Sequence, residues 1–182
     1  MDASFVVKDS AGQKLSYVYF EDEPGRRFGS YGRLTTQRLS ASPMIELSDA
    51  RLIRPPQFLD GDGLLVPTEA GRQVPFLQIQ RMFAIVAPTG AKRGRHAHKH
   101  CSHFMLCASG AVDIVCDDGK ERKTFALDHP ELALFVPPGL WLECDVREND
   151  SVLIVLCDRL YEEHDYIRDY DQFLSFRKAA RA

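Results

Sequence analysis

Turn residues interrupt this chain densely, and the pieces between them are short and rich in β-formers. Leu15-Ser16-Tyr17-Val18-Tyr19-Phe20 reads as a strand that ends at Glu21-Asp22-Glu23-Pro24-Gly25. Gly61-Asp62-Gly63 precedes Leu64-Leu65-Val66, and Pro75 opens a run from Phe76 to Val86 in which Phe76, Gln78, Gln80 and Met82 share one face. Val112 to Cys116 stops at Asp117-Asp118-Gly119, where Asp-Gly accepts the positive φ of a tight hairpin turn. Ala133 to Val136 runs into Pro137-Pro138-Gly139. Ser151 to Cys157 is almost wholly apolar, so it is expected either to be buried on both faces or to lie against a dimer partner. Strands recurring about every ten residues between Gly and Pro predict an all-β sandwich or barrel. One helix is expected, from about Asp169 to Lys178. There Tyr170, Phe173, Leu174 and Arg177 share a face, and the basic last turn suits the helix dipole.

A length of 182 residues suits one compact domain. The division expected is a β-rich N-terminal extension over 1–48 and a main domain over 49–182. A formal net charge of -3 gives no basic field, which argues against nucleic acid as a partner. No apolar run reaches the roughly 18 to 20 residues of a membrane span, so no membrane partner is expected. The Met1-Asp2-Ala3-Ser4-Phe5 start has no basic leader followed by an apolar run, and therefore does not read as a secretory signal. Five cysteines without paired spacing suit a reducing, cytoplasmic compartment.

Chemistry concentrates in Arg95-His96-Ala97-His98-Lys99-His100-Cys101-Ser102-His103, which holds four of the six histidines. On a strand, residues i and i+2 point to one face, so His96 and His98 align, and small barrels turn one such face into a ligand-sized cavity. Imidazole serves equally for proton transfer near neutral pH and for binding a transition metal. His100, His129 and His164 read as structural or exposed, and Cys157 reads as a small buried residue.

The spacing resembles that of the cupins, whose His-x-His is followed by a glutamate, a glycine, a Pro-x-Gly turn and a last histidine. In this chain His103 stands at the glutamate's place and Leu142 at that of the last histidine. A narrower resemblance covers about residues 49–178. Arg93-Gly94-Arg95-His96-Ala97-His98-Lys99 is similar to a segment of the dTDP-4-oxo-6-deoxyhexose 3,4-ketoisomerases. The tail from Tyr161 through Asp165-Tyr166-Ile167-Arg168 to Phe173 resembles that family's closing motif. Cys116-Asp117-Asp118-Gly119 and Pro137-Pro138-Gly139-Leu140-Trp141 also match in order.

This resemblance implies a double-stranded β-helix (jelly-roll) cupin with a C-terminal helix, working as a homodimer joined through strands. It implies a dTDP-linked keto-sugar as substrate, in deoxysugar biosynthesis for bacterial glycans such as lipopolysaccharide, and no metal or other cofactor. The carbonyl moves from C4 to C3 through an enediol, with His98 expected as the carbon base and His96 as the proton shuttle. Arg93 and Lys99 are the expected diphosphate ligands. Arg81, His103, Trp141 and Glu143 complete the expected substrate contacts, with Trp141 placed to stack on the base. Two departures stand out: Phe83 where the family commonly has a tyrosine, and Leu142 where it has a histidine. Two other readings therefore accompany the first. One is a metal-dependent cupin holding a divalent transition metal on His96, His98 and His103; the other is a nucleotide-sugar-binding cupin without turnover.

Overall fold

The computed structural model describes residues 4–8, 14–19, 45–61 and 63–181. Phe20, the turn at 21–25 and Asp62 lie outside the described residues. The chain divides into two compact units, Met1–Ala41 and Ser42–Ala182. In the first, β1 (Ser4–Lys8) pairs antiparallel with β2 (Lys14–Tyr19), Ser4 opposite Tyr19.

The second unit carries the remaining elements: β3 (Arg51–Ile53), β4 (Phe58–Asp60), β5 (Gly63–Leu65), β6 (Arg81–Ala87), β7 (Lys92–His98), β8 (His103–Ser109), β9 (Val112–Asp117), β10 (Arg122–Leu127), β11 (Ala133–Val136), β12 (Trp141–Val146), β13 (Ser151–Cys157), β14 (Tyr166–Ile167) and the helix α1 (Tyr170–Ala179). Two five-stranded antiparallel sheets, ordered β10-β9-β12-β7-β14 and β3-β11-β8-β13-β6, form the cupin jelly roll; β4 and β5 make a separate small hairpin. The main core fills the space between the large sheets. Ile114, Cys116, Leu142 and Cys144 come from one sheet, and Met105, Leu134, Leu153 and Val155 from the other. These positions alternate along each strand, as a half-buried sheet requires.

The Asp-Gly turn forms as expected between β9 and β10. Gly119 takes φ +84°, and the Asp117 and Asp118 side chains accept backbone N–H groups from Gly119 and Lys120 at 2.6 and 2.8 Å. The apolar run after Pro75 begins its strand only at Arg81. Before that, Val74 and Phe76 pack on Phe104, Ala133 and Leu156 as a cap over the outer face of the second sheet. The alternation over 76–80 therefore reflects capping rather than strand pairing.

β13 is a central strand, flanked by β8 and β6. Leu153, Val155 and Cys157 enter the core, while Val152 and Ile154 are half-buried on the other side. Both its edges are occupied, so it cannot join a partner by strand pairing.

The helix covers the outer face of the first sheet, with Phe173 fully buried against Ala97, Trp141 and Ile167. Asp169 caps its start by accepting Gln172 N–H at 2.8 Å. The structure gives Arg177 a role beyond the helix dipole. Its guanidinium is buried and donates to the carbonyls of Asp118 at 2.9 Å, Gly139 at 3.1 Å, and Ile45. One side chain thus ties the β9–β10 turn, the Pro-Pro-Gly turn and the segment entering this unit.

Candidate active site

The geometry of the site begins with an irregularity in β7. Leu142 pairs with His96, but the next residue, Glu143, pairs with Gly94, which leaves Arg95 as the extra residue of a β-bulge. Gly94 and Arg95 both have positive φ, +78° and +58°. Glycine is required at the first position on a second ground: a Cβ there would lie 2.8 Å from the Leu142 carbonyl oxygen. The bulge also changes which residues share a face. Without it, Arg93 and His96 would point to opposite sides of the sheet. With it, Arg93 pairs with Cys144, on the face that Leu142 and His96 occupy, and remains exposed.

His96 is half-buried, and the Gly94 backbone beside its ring favours the charged form. In the neutral imidazole one ring nitrogen keeps a lone pair. Burial holds its pKa below the ordinary 6.5, with the cations of Arg168 and Arg81 acting in the same direction.

His98 lies deeper. Its ring stands 5.0 Å from that of His96 and 4.6 Å from that of His103. Nδ1 is 2.7 Å from Asp165 Oδ2, and Oδ1 of the same carboxylate accepts His100 N–H at 2.7 Å. Burial pushes the Asp165 carboxyl up, but these donors outweigh it and hold the group below its ordinary pKa. An ionised carboxylate only accepts, so His98 Nδ1 carries the proton and Nε2 the lone pair. Burial and the neighbouring His103 push the His98 pKa down to about 3, against the pull of Asp165. The backbone of His98 is fixed as well, since its carbonyl accepts Gly139 N–H at 2.6 Å.

The tail completes the site. β14 pairs Tyr166 with His98, placing the phenol 4.2 Å from the His98 ring and 5.0 Å from that of His96. Arg168 stacks over this phenol at 4.3 Å. Arg81 reaches Cys157 Sγ at 3.4 Å, and the neighbouring Cys157 and Tyr166 favour its charge. Asp165, Tyr166, Cys101 and Cys157 all take part here, and none was singled out from sequence as a site residue. The tail motif contained the first two, but only the pairing of β14 shows which way they face.

The interior is smaller than the ligand-sized cavity expected. Behind His96 lies about 50 Å³, lined by Phe83, His103, Met105, Leu142 and Cys144 among others. A water takes about 30 Å³ of the liquid, and ligand pockets begin near 300 Å³. Bulky Phe83 and Leu142 line and narrow this space.

The structure brings His96, His98, His103 and Arg81 together, with Arg93 on the same face. Lys99 is committed to the tail instead, donating through Nζ to the His164 carbonyl at 2.6 Å. Trp141 and Glu143 require correction. The pairing of Trp141 with Ala97 puts it on the outer face, where its ring lies 5.1 Å from Tyr170 beneath the helix. Its Nε1 donates to Glu143 at 3.0 Å, and Glu143 also accepts from Arg122 at 2.8 Å. Neither residue can share a ligand with the histidines across the thickness of the sheet. The expected three-histidine metal set is also redrawn. Among the described residues, the donors that converge are those of His98, Cys101 and His103, all within 4.8 Å of one another, and His96 is not among them.

Comparison with known proteins agrees with this architecture. The family described as FdtA: WxcM-like, C-terminal, matches residues 48–178. The chain belongs to this family. A TDP-4-oxo-6-deoxy-alpha-D-glucose-3,4-oxoisomerase of Aneurinibacillus thermoaerophilus is 36% identical over 121 residues, covering 66% of this chain and 86% of the relative. Among solved structures, the sugar 3,4-ketoisomerase QdtA of Thermoanaerobacterium thermosaccharolyticum, in complex with TDP, superposes with a TM-score of 0.70 at 32% identity, covering 74% of this chain and 98% of its own. WlaRB, a TDP-quinovose 3,4-ketoisomerase of Campylobacter jejuni, gives 0.67 at 30% identity over 71% and 99%.

The bulge makes a direct prediction. Gly94→Ala forces a methyl group against the Leu142 carbonyl, so β7 and β12 must separate and His96 loses its anchor. The variant should fold with a lowered unfolding midpoint in urea, and the His96 ring resonances in a proton NMR spectrum should shift from their wild-type positions. Unchanged His96 resonances would show that the bulge does not position the ring.

Proposed function

We propose that this chain is a sugar 3,4-ketoisomerase acting on a dTDP-linked 4-oxo-6-deoxyhexose in deoxysugar biosynthesis. The observation that carries the reading is the half-buried His96, its ring 5.0 Å from that of Tyr166 and 5.0 Å from that of His98. Its family and the named activities of its relatives supply the substrate class.

The reaction moves protons only. A base takes the proton from C3, the electron pair of that C–H bond becomes the C3=C4 double bond of an enediol as the C4=O π pair moves onto O4, and O4 is protonated. The O3 proton then leaves as C4 receives a proton, and the carbonyl stands at C3. Carbon, oxygen and electron counts are unchanged, and each transfer is within the capacity of an imidazole or a phenol. No cofactor is required by these steps. The role of carbon base falls to His96, in reversal of the order expected from sequence. Nε2 of His98 is sealed from solvent and burial beside His103 lowers its basicity, whereas the His96 ring is only half-buried. Tyr166 is the group suited to pass the proton between O3 and O4, replacing the hydroxyl that Phe83 cannot supply. Arg93 faces the same side and is free to bind the diphosphate as a bidentate donor.

The same reading extends to assembly. Among the described residues β6 is an edge strand of its sheet and exposes Met82 and Val86, which are 68% and 65% accessible. An apolar open edge favours pairing with another chain, so the homodimer contact belongs at β6 rather than β13. Five free, buried thiols suit a cytoplasmic setting.

Proton NMR with dTDP-4-oxo-6-deoxyglucose in deuterated water tests the activity. The C3 proton should exchange with wild-type protein, and His96→Asn should slow exchange by about 10²- to 10⁴-fold. Binding of dTDP with no exchange in the wild type would identify a binding module instead. The pH profile follows from the lowered pKa of His96. The base must be neutral, so kcat/KM is full above that pKa and falls as the pH drops through it; the acid limb should have its midpoint below 6.5. A midpoint above that value would assign the base elsewhere. Analytical ultracentrifugation should find a dimer that Met82→Asp dissociates at micromolar concentration, whereas a dimer indifferent to that change would not use β6.

A further inference from the structure

Directly beneath His96 is a group of donors that the isomerase reading leaves unexplained. His98 ends β7, His103 begins β8, and Cys101 lies in the short connection between them. Donor atoms of the three residues lie within 4.8 Å of one another. Their side chains are almost wholly buried, at 3%, 4% and 3% exposure for His98, His103 and Cys101. Nε2 of His98 and Nε2 of His103 are both buried without a hydrogen-bond partner. Two orphaned acceptors or donors in so small a volume are costly unless something unites them. A fourth donor is at hand. Cys157 is fully buried, pairs with His103 across β13 and β8, and interacts with both His103 and Cys101.

We propose that His98, Cys101, His103 and Cys157 form a tetrahedral site for a thiophilic divalent cation of the Zn(II) class, set below the catalytic histidine. Two imidazoles and two thiolates are a closed Cys2His2 donor set, with a net charge of zero once a divalent ion is bound. Metal–ligand bonds of about 2.0–2.3 Å put tetrahedral donors roughly 3.3–3.8 Å apart, so His98, Cys101 and His103 need close by only about an ångström, and Cys157, paired with His103 across the sheet, would turn in as the fourth donor. Binding releases one proton from each thiol to solvent, which balances the charge. The surroundings fit a bound ion as well. Asp165 accepts from His98 Nδ1 at 2.7 Å, the carboxylate–histidine arrangement that orients a metal-ligating imidazole and fixes its tautomer. Arg81 reaches Cys157 Sγ at 3.4 Å, as a donor to a coordinated thiolate would. The set excludes His96, so a cation can be held without removing the carbon base. The proposal does not rest on the isomerase reading.

The test is titration of metal-stripped, reduced full-length protein with Co(II). One equivalent should produce a near-ultraviolet thiolate-to-cobalt charge-transfer band and the intense visible bands of tetrahedral cobalt, both bleached by one equivalent of Zn(II). Cys101→Ala should lose most of the charge-transfer intensity, and Asp165→Asn should weaken Zn(II) binding by about 10- to 100-fold in competition with a chromophoric chelator. His96→Asn should leave spectrum and stoichiometry unchanged. Weak octahedral bands in the wild type would overturn the site without recourse to any variant. A thiolate band that persists in Cys101→Ala, or one that disappears in His96→Asn, would overturn the donor set. None of these readouts uses isomerase activity, so failure here and failure of the isomerase reading remain separate results.

Discussion

The buried bond between His98 Nδ1 and Asp165, 2.7 Å long, joins the two parts of the chain on which the site depends. His98 ends β7, whereas Asp165 belongs to the tail, and their contact brings β14 alongside β7 so that Tyr166 faces the histidines. The carboxylate is only 3% exposed, and a buried charge of this kind is tolerated because its oxygens are met by donors, the His98 ring and the His100 N–H. Hydrogen bonds to a charged group contribute about 1.5–3 kcal/mol each. The tail is therefore held by directed polar contacts at one end and by Phe173 and Arg177 at the other. A single apolar patch would fix its position less specifically.

The same bond sets the division of labour between the histidines. By fixing the proton on Nδ1 it commits His98 to one tautomer, and burial beside His103 keeps the ring neutral across the working pH range. Among the described residues His96 has no carboxylate partner, and it is half-buried where His98 is buried. Two imidazoles from one His-x-His motif thus differ in basicity because their neighbours differ. Spacing alone assigns them a common face but cannot rank them.

Much of the fold was legible in the sequence because it follows from local rules. Asp-Gly at 118–119 specifies its hairpin, the alternation along 112–116 specifies a half-buried strand, and the 3.6 spacing of Tyr170, Phe173 and Arg177 specifies the helix. The common face of His96 and His98 follows from the period of two. What escaped depended on the partner strand. The bulge at Arg95 exists only in the pairing of β7 with β12, and it moves Arg93 across the sheet. Trp141 reads as a candidate to stack on the base, yet the helix 30 residues later covers it. Arg177 reads as a helix-end cation, but three carbonyls converge around its guanidinium. Phe83 and Leu142 were legible as departures; that they fill the cavity was not.

The cysteines show most clearly why a site can be hidden in plain composition. Cys101 and Cys157 are 56 positions apart and follow no ligand motif, so sequence spacing treats them as unrelated small buried residues. Antiparallel pairing of β13 with β8 puts Cys157 beside His103, two residues from Cys101. β-sheet register can therefore assemble a compact donor set from ends of strands that the sequence keeps far apart. The apolar interior reinforces the effect. Phe83 and Leu142 remove polar competitors from the cavity, leaving the two unpartnered imidazole nitrogens with few groups to bind except one another's neighbours. Phe83 and Leu142 thus leave the polar groups of the barrel in two layers, the half-buried His96 and, below it, the buried cluster of His98, Cys101 and His103.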